Sequence, residues 1–132
     1  MSDETNTSQA LQTRVLLVDD HDLFRTGLRN LIEEQGVLVV GECDNGTEAL
    51  RAVRELAPDV VVMDLNMPGI SGVEATRQIS MIAPLTRVLV LTISDQDSDV
   101  MDAILAGACG YLLKDSSITE LISGIQAAAV GE

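Results

Sequence analysis

Tryptophan is absent from this chain, and its only aromatic residues are one Phe, Phe24, and one Tyr, Tyr111. Without aromatic platforms, successive nucleic-acid bases have nothing to stack on. Basic residues are also scarce: 8 Lys+Arg stand against 21 Asp+Glu, a formal charge of −13 over 132 residues. That charge repels phosphate backbones and anionic headgroups, which excludes direct binding to DNA, RNA or an acidic membrane surface. The two cysteines, Cys43 and Cys109, are far apart and have no neighbouring His cluster. They predict free, buried thiols of a reducing compartment rather than a disulfide framework or a zinc site. No apolar run approaches the ~18 residues of a membrane span. The first residues, Met1-Ser-Asp-Glu-Thr-Asn-Thr-Ser-Gln9, are polar and acidic, the reverse of a signal peptide, so a cytoplasmic protein is expected.

Hydrophobic residues make up 46% of the chain, enough for one domain with a real core. Residues 1–13 are rich in Ser, Thr, Asn and Gln without periodicity and are expected to form a disordered tail. From residue 14 onward two patterns alternate. Short branched apolar runs read as buried strands at Arg14–Asp19, Val37–Glu42, Asp59–Asp64, Arg87–Thr92 and Cys109–Leu113. Between and after them, apolar residues recur at helical spacing. The first helix carries Leu23, Phe24, Leu28, Leu31 and Ile32, with Asp22 as its cap and Gly36 as its left-handed stop. Thr47 is the expected cap of a second helix that Pro58 prevents from continuing. The third spans about Gly72 to Ile82, and the fourth begins near Asp97 and ends around Gly107. The fifth carries Ile118, Leu121, Ile122 and Ile125 behind a Ser117/Glu120 capping box. Five strands alternating with five helices predict a doubly wound α/β domain with a parallel sheet.

In such sheets ligands bind beyond the carboxyl ends of the strands. Strand one ends in Asp19-Asp20, strand three in Asp64, strand four in Thr92 and strand five in Lys114; strand two, ending in Glu42-Cys43, offers less. Lys114 is also the only base among seven acids between Val88 and Glu132. Periodicity does not give the strand order. If strands one, three and four are neighbours, three carboxylates, a hydroxyl and an ammonium converge. Two carboxylates about 4 Å apart repel by roughly 4 kcal/mol at an effective dielectric of about 20, so three together must hold protons or a cation. Oxygen ligands with no His or Cys among them suit a hard ion such as Mg²⁺. Phosphoryl transfer onto one carboxylate, with Asp64 as acceptor and Asp19 and Asp20 as metal anchors, is the simplest chemistry for this set. Each residue also has an ordinary explanation. An Asp pair can merely cap a helix, Asp64 can belong to a turn, Thr92 suits any strand, a single Lys is usually solvated, and His21 is more often structural than a ligand.

Taken together, Asp19-Asp20, Asp64 within Met-Asp-Leu-Asn-Met-Pro-Gly, Gly72, Thr92, Tyr111 and Lys114 make the chain, from about Arg14 to its end, resemble the receiver domain of two-component response regulators. Asp-Asp-His-Asp-Leu-Phe-Arg-Thr-Gly-Leu-Arg and Gly-Tyr-Leu-Leu-Lys-Asp resemble the NarL/FixJ subgroup, which carries a LuxR-type helix-turn-helix output domain. The resemblance implies a flavodoxin-like (βα)5 fold with strand order 2-1-3-4-5. It implies that Asp64 accepts a phosphoryl group from a sensor histidine kinase. Mg²⁺ would be held by Asp20 and Asp64 directly, by Asp19 largely through water, and by the backbone carbonyl of Asn66. Thr92 and Lys114 would bind the phosphoryl group, and Tyr111 would swing inward as the switch. Ile93 departs from the small residue usual after the switch Thr, and narrower access to the site is expected from it. The domain would catalyse only its own phosphorylation and dephosphorylation, and would reach DNA through an output domain missing from this chain. A monomer or weak homodimer is expected, with Arg25 and Arg29 favouring a surface on the first and last helices. Two other readings share the architecture. A phosphatase of the haloacid-dehalogenase type would need a general acid where Asn66 stands. A flavodoxin-like cofactor binder would need a phosphate loop and aromatics that are absent.

Overall fold

The computed structural model describes residues 12–67, 69–93 and 98–131. Five strands, β1 (Arg14–Val18), β2 (Leu38–Cys43), β3 (Val60–Asp64), β4 (Arg87–Thr92) and β5 (Gly110–Leu113), form one sheet in the order β2-β1-β3-β4-β5. Every neighbouring pair is parallel. The helices are α1 (Asp22–Glu34), α2 (Gly46–Leu56), α3 (Gly72–Ile82), α4 (Ser98–Leu105) and α5 (Ile118–Ala129). None of the described helices is long and apolar enough to cross a membrane.

The strands are apolar throughout because both faces of the sheet are covered. Successive residues alternate between two cores: Leu16, Val18, Val61, Met63, Val88 and Val90 pack with Ala49, Val53, Ala75, Ile79 and Ala103. On the opposite face Val15, Leu17, Val60, Val62, Leu89 and Leu91 pack with Leu28, Ile32, Leu121, Ile125 and Ala128. At roughly 1.5–3 kcal/mol per buried large aliphatic side chain, a one-residue slip of any central strand would exchange its neighbours across the sheet and is strongly disfavoured. β1 and β3 are therefore held rigidly, and their polar ends share one position along the sheet edge.

Helix boundaries match the periodicity more closely than the caps do. Ser117 and Glu120 form the expected capping box, and Gly36 has φ 85°. Two expected caps are corrected. Asn45, not Thr47, accepts the Glu48 N–H at the start of α2, because the helix begins at Gly46. Asp22 is the first residue of α1 rather than its cap; His21 occupies the cap position and makes no side-chain capping bond. The expected start of α4 at Asp97 lies outside the described residues. So do residues 1–11 of the expected tail, whereas Gln12 donates to the Gly36 carbonyl and the Thr13 carbonyl accepts from Leu38. Cys43 is buried as expected, and burial pushes its thiol up to about 11. Cys109 is exposed, a correction that follows from its place just before β5 at the open amino-terminal edge.

Candidate phosphoryl-acceptor site

The order β2-β1-β3-β4-β5 puts the reversal of connectivity between β1 and β3, where the helices that follow them leave on opposite faces. Asp19 and Asp20 follow β1, Asp64 closes β3, Thr92 closes β4 and Lys114 follows β5. The strand order thus makes the sequence's conditional statement true, and these residues share one edge. Asp19, Asp64 and Thr92 are each 3% exposed or less.

Backbone contacts pin each group. The Asp19 N–H donates to the Cys43 carbonyl at 3.0 Å, extending the β1–β2 pairing one step into the loop. Asp19 Oδ1 accepts the His21 N–H at 2.8 Å, which turns the chain from strand into helix. The Asn66 N–H donates to Asp64 Oδ1 at 3.2 Å. The Lys114 N–H donates to the Thr92 carbonyl at 2.7 Å, fastening the loop after β5 to the end of β4. Gly72 lets the loop after Asp64 fold back: a Cβ there would lie 2.5 Å from the Asp64 carbonyl oxygen and 2.7 Å from Leu65 Cα.

Lys114 is not the solvated cation of the ordinary reading. Its side chain is 14% exposed, and Nζ lies 3.0 Å from Asp19 Oδ2 and 3.4 Å from Asp64 Oδ1. Asp64 Oδ2 and Asp20 Oδ1 remain buried without a hydrogen-bond partner. Burial raises the Asp64 carboxyl above its ordinary range; the Asn66 N–H opposes this, the nearby Asp19 adds to it, and Lys114 opposes it. A buried carboxylate with an orphaned oxygen beside two further acids can accept a cation. Asp19, Asp20, His21 and Asp64 each offer one ligand atom within 4.8 Å of the others. The donor set fits Mg²⁺, which takes one or two carboxylates and fills its remaining positions with water and phosphate oxygens.

Three contacts went unrecognised in the sequence. Phe24 places its ring 4.8 Å from Lys114 Nζ. A lone Phe one turn after the acid pair was the available signal, but it reads equally as core. Arg25 bonds to the Asp19 carbonyl, to Asp22 at 2.8 Å and to Glu42 at 2.8 Å, tying the acid-bearing loop to β2. Arg29 also binds Glu42, at 2.6 Å, and holds its carboxyl below the ordinary value, the Arg29 hydrogen bond contributing most. Arg25 and Arg29, the two bases expected to favour a contact surface on the first and last helices, both reach Glu42 of β2. Glu42 accordingly serves structure. Tyr111 is 42% exposed, and Ile93 is 69% exposed, with most of its surface in solvent.

Comparison with known proteins agrees with this geometry. The family profile of the response regulator receiver domain matches residues 15–126. Response regulator GacA of Pseudomonas viridiflava is 44% identical over 120 residues, covering 90% of this chain and 56% of that protein. The nitrate/nitrite response regulator protein NarL of Escherichia coli strain K12 is 39% identical over 119 residues, covering 89% and 55%. The chain therefore spans about half the length of these curated relatives. A two-component response regulator of the LuxR family from Aurantimonas sp. SI85-9A1 has a crystal structure similar to this one, with a TM-score of 0.86 and 43% identity over 92% of this chain and 87% of that one. The response regulator domain of Thermotoga maritima CheB gives 0.83 and 30%, over 92% and 98%.

Proposed function

We propose, from the premise that this chain belongs to the response regulator receiver domain family, that Asp64 accepts a phosphoryl group and that the resulting acyl phosphate switches the domain. The observation that carries the reading is the Asp64 carboxylate: buried, with one oxygen unpartnered, and faced by the Lys114 ammonium at 3.4 Å. A sensor kinase phosphohistidine is the proposed donor. An oxygen of Asp64 attacks phosphorus, the P–N bond breaks, and the histidine leaves with the electron pair and takes up a proton. Asp19, Asp20, Asp64 and the Asn66 carbonyl would hold Mg²⁺, which when bound supplies charge neutralisation on the transferring group.

The chain's own residues do the rest. The Asn66 N–H orients the Asp64 carboxylate, and the Asp19 carbonyl is held by Arg25 so that the acid loop does not drift. Lys114 can exchange its contact with Asp64 for a phosphoryl oxygen without leaving Asp19. Thr92, on the same edge, supplies a hydroxyl to the same group. That new bond draws the end of β4 inward and opens room for Tyr111 to move from its exposed position, biasing a two-state element. The domain turns over only its own phosphoryl group, and its output is transcriptional, through a DNA-binding partner domain of the kind the resemblance implies. Incubation with acetyl phosphate and Mg²⁺, followed by intact mass measurement, tests the reading. One phosphoryl adduct that disappears in Asp64→Asn supports it; no adduct, or one that persists in Asp64→Asn, overturns it. The phosphatase alternative has less support, because Asn66 stands where the general acid would be and uses its N–H on Asp64.

A further inference from the structure

The function above leaves His21 unused. It is the only histidine of the chain, and its ring stands at the mouth of the acidic pocket. Nδ1 lies 3.3 Å from Asp19 Oδ1 and 3.4 Å from Asp20 Oδ1, with the side chain 63% exposed. The position is imposed by the backbone: the His21 N–H is bonded to Asp19 Oδ1, and the Arg25 N–H bonds the His21 carbonyl as α1 begins. At the cap position of α1 the His21 side chain makes no capping bond, and its Nδ1 faces the two carboxylates instead.

We propose that His21 is a further ligand at this pocket, making it a site for imidazole-preferring divalent ions such as Ni²⁺ or Zn²⁺ in competition with Mg²⁺. The inference rests on the pocket being the cation site described above. Ligand atoms sharing one ion at about 2.1 Å each lie about 3–4 Å apart. His21 Nδ1 already stands at that separation from Asp19 Oδ1 and from Asp20 Oδ1, and all four ligand atoms are within 4.8 Å, so closing on an ion needs only small side-chain movements. The independent sign that a ligand is wanted is the Asp64 carboxylate, 1% exposed, with Oδ2 lacking a hydrogen-bond partner. Carboxylates and water satisfy Mg²⁺, which gains little from an imidazole. Borderline ions bind nitrogen strongly and follow a steeper affinity order. His21 therefore adds affinity selectively, and a bound Ni²⁺ would occupy the oxygens that Mg²⁺ and the phosphoryl group require.

Calorimetric titration of the untagged chain with Ni²⁺ alone and with Mg²⁺ alone tests this, beside His21→Ala and Asp64→Asn. His21→Ala is expected to weaken Ni²⁺ by at least about tenfold, the low end of what losing even an outer-shell partner of a ligand costs, while Mg²⁺ stays within about twofold. Excess Mg²⁺ should displace Ni²⁺ from the unaltered chain. The single imidazole gives a direct signal: Ni²⁺ should broaden the His21 ring resonances in proton NMR, and Asp64→Asn should remove that broadening at the same ion concentration. Ni²⁺ affinity unchanged in His21→Ala overturns the inference while leaving the Mg²⁺ site intact. Neither ion binding the unaltered chain overturns the cation site itself and the inference with it.

Discussion

The two edges of the sheet treat their polar groups in opposite ways. At the amino-terminal edge, the Asp59 carboxylate accepts the Arg14 N–H at 2.9 Å, the Asp59 carbonyl accepts the Arg87 N–H, and the Asp59 N–H donates to the Arg14 carbonyl. Thr86 donates its hydroxyl to the Pro58 carbonyl, and the Arg14 side chain donates to the Ala57 carbonyl. These groups are used to close loops. At the carboxyl-terminal edge, Asp20 and Asp64 retain buried oxygens without a hydrogen bond, and Lys114 is shared between two acids. An unsatisfied buried acceptor costs about 1–3 kcal/mol, so one edge stabilises the fold and the other gives up stability to keep acceptors available.

That contrast can be broken by experiment, beginning with the largest effect. Asp64→Asn should abolish the phosphoryl adduct seen by mass, yet raise the unfolding free energy from chemical denaturation by about 1–3 kcal/mol in the absence of divalent cation, because a buried, incompletely hydrogen-bonded carboxylate is removed. A destabilised Asp64→Asn would mean that the carboxyl edge is not strained. Mg²⁺ should raise the thermal midpoint of the unaltered chain, through a stabilisation of about 2.7 kcal/mol at a hundredfold excess over its Kd, and leave that of Asp64→Asn unmoved. On the other edge, Asp59→Ala should cost about 1–2 kcal/mol through the abandoned Arg14 N–H, with adduct formation unchanged; chemical denaturation and the mass assay read the two effects separately.

The pH dependence should also separate the edges. The Asp64 carboxyl is raised, so the folded state binds a proton that the unfolded chain has released. Stability of the cation-free protein therefore falls as pH climbs from the ordinary carboxylate pKa through the raised folded value, and Asp64→Asn should flatten that slope in urea titrations. The smallest change is expected at Ala57, a non-glycine residue at φ 46° that ends α2 before Pro58. Ala57→Gly should stabilise by up to about 1 kcal/mol without touching phosphorylation, as measured by thermal unfolding.

Much of this was readable because the two-faced burial of a parallel sheet leaves a strong imprint. Val60-Val61-Val62-Met63 admits no amphipathic reading, and Arg87–Thr92 and Gly72–Ile82 have the bounds their patterns indicate. Caps were less legible, since Asp22, Asn45 and Thr47 are all competent capping residues and a shift of one or two positions depends on where the preceding loop delivers the chain. Cys109 was misplaced because its small apolar side chain gives the same sequence signal at an exposed strand start as in a core.

Sequence alone determined the element order, the residue types at the strand ends and their family resemblance, because each follows from local spacing. The convergence of those ends depended on strand order, a long-range property that periodicity does not encode. Only the tertiary structure could therefore show that Lys114 lies between Asp19 and Asp64, that Arg25 and Arg29 turn toward Glu42, and that His21 stands over the acid pair. Each is a contact between groups whose charges a linear chain cannot place. Burial then decides their energy, since an acid next to a base is a weak pair in water and a strongly constrained one behind two layers of helices.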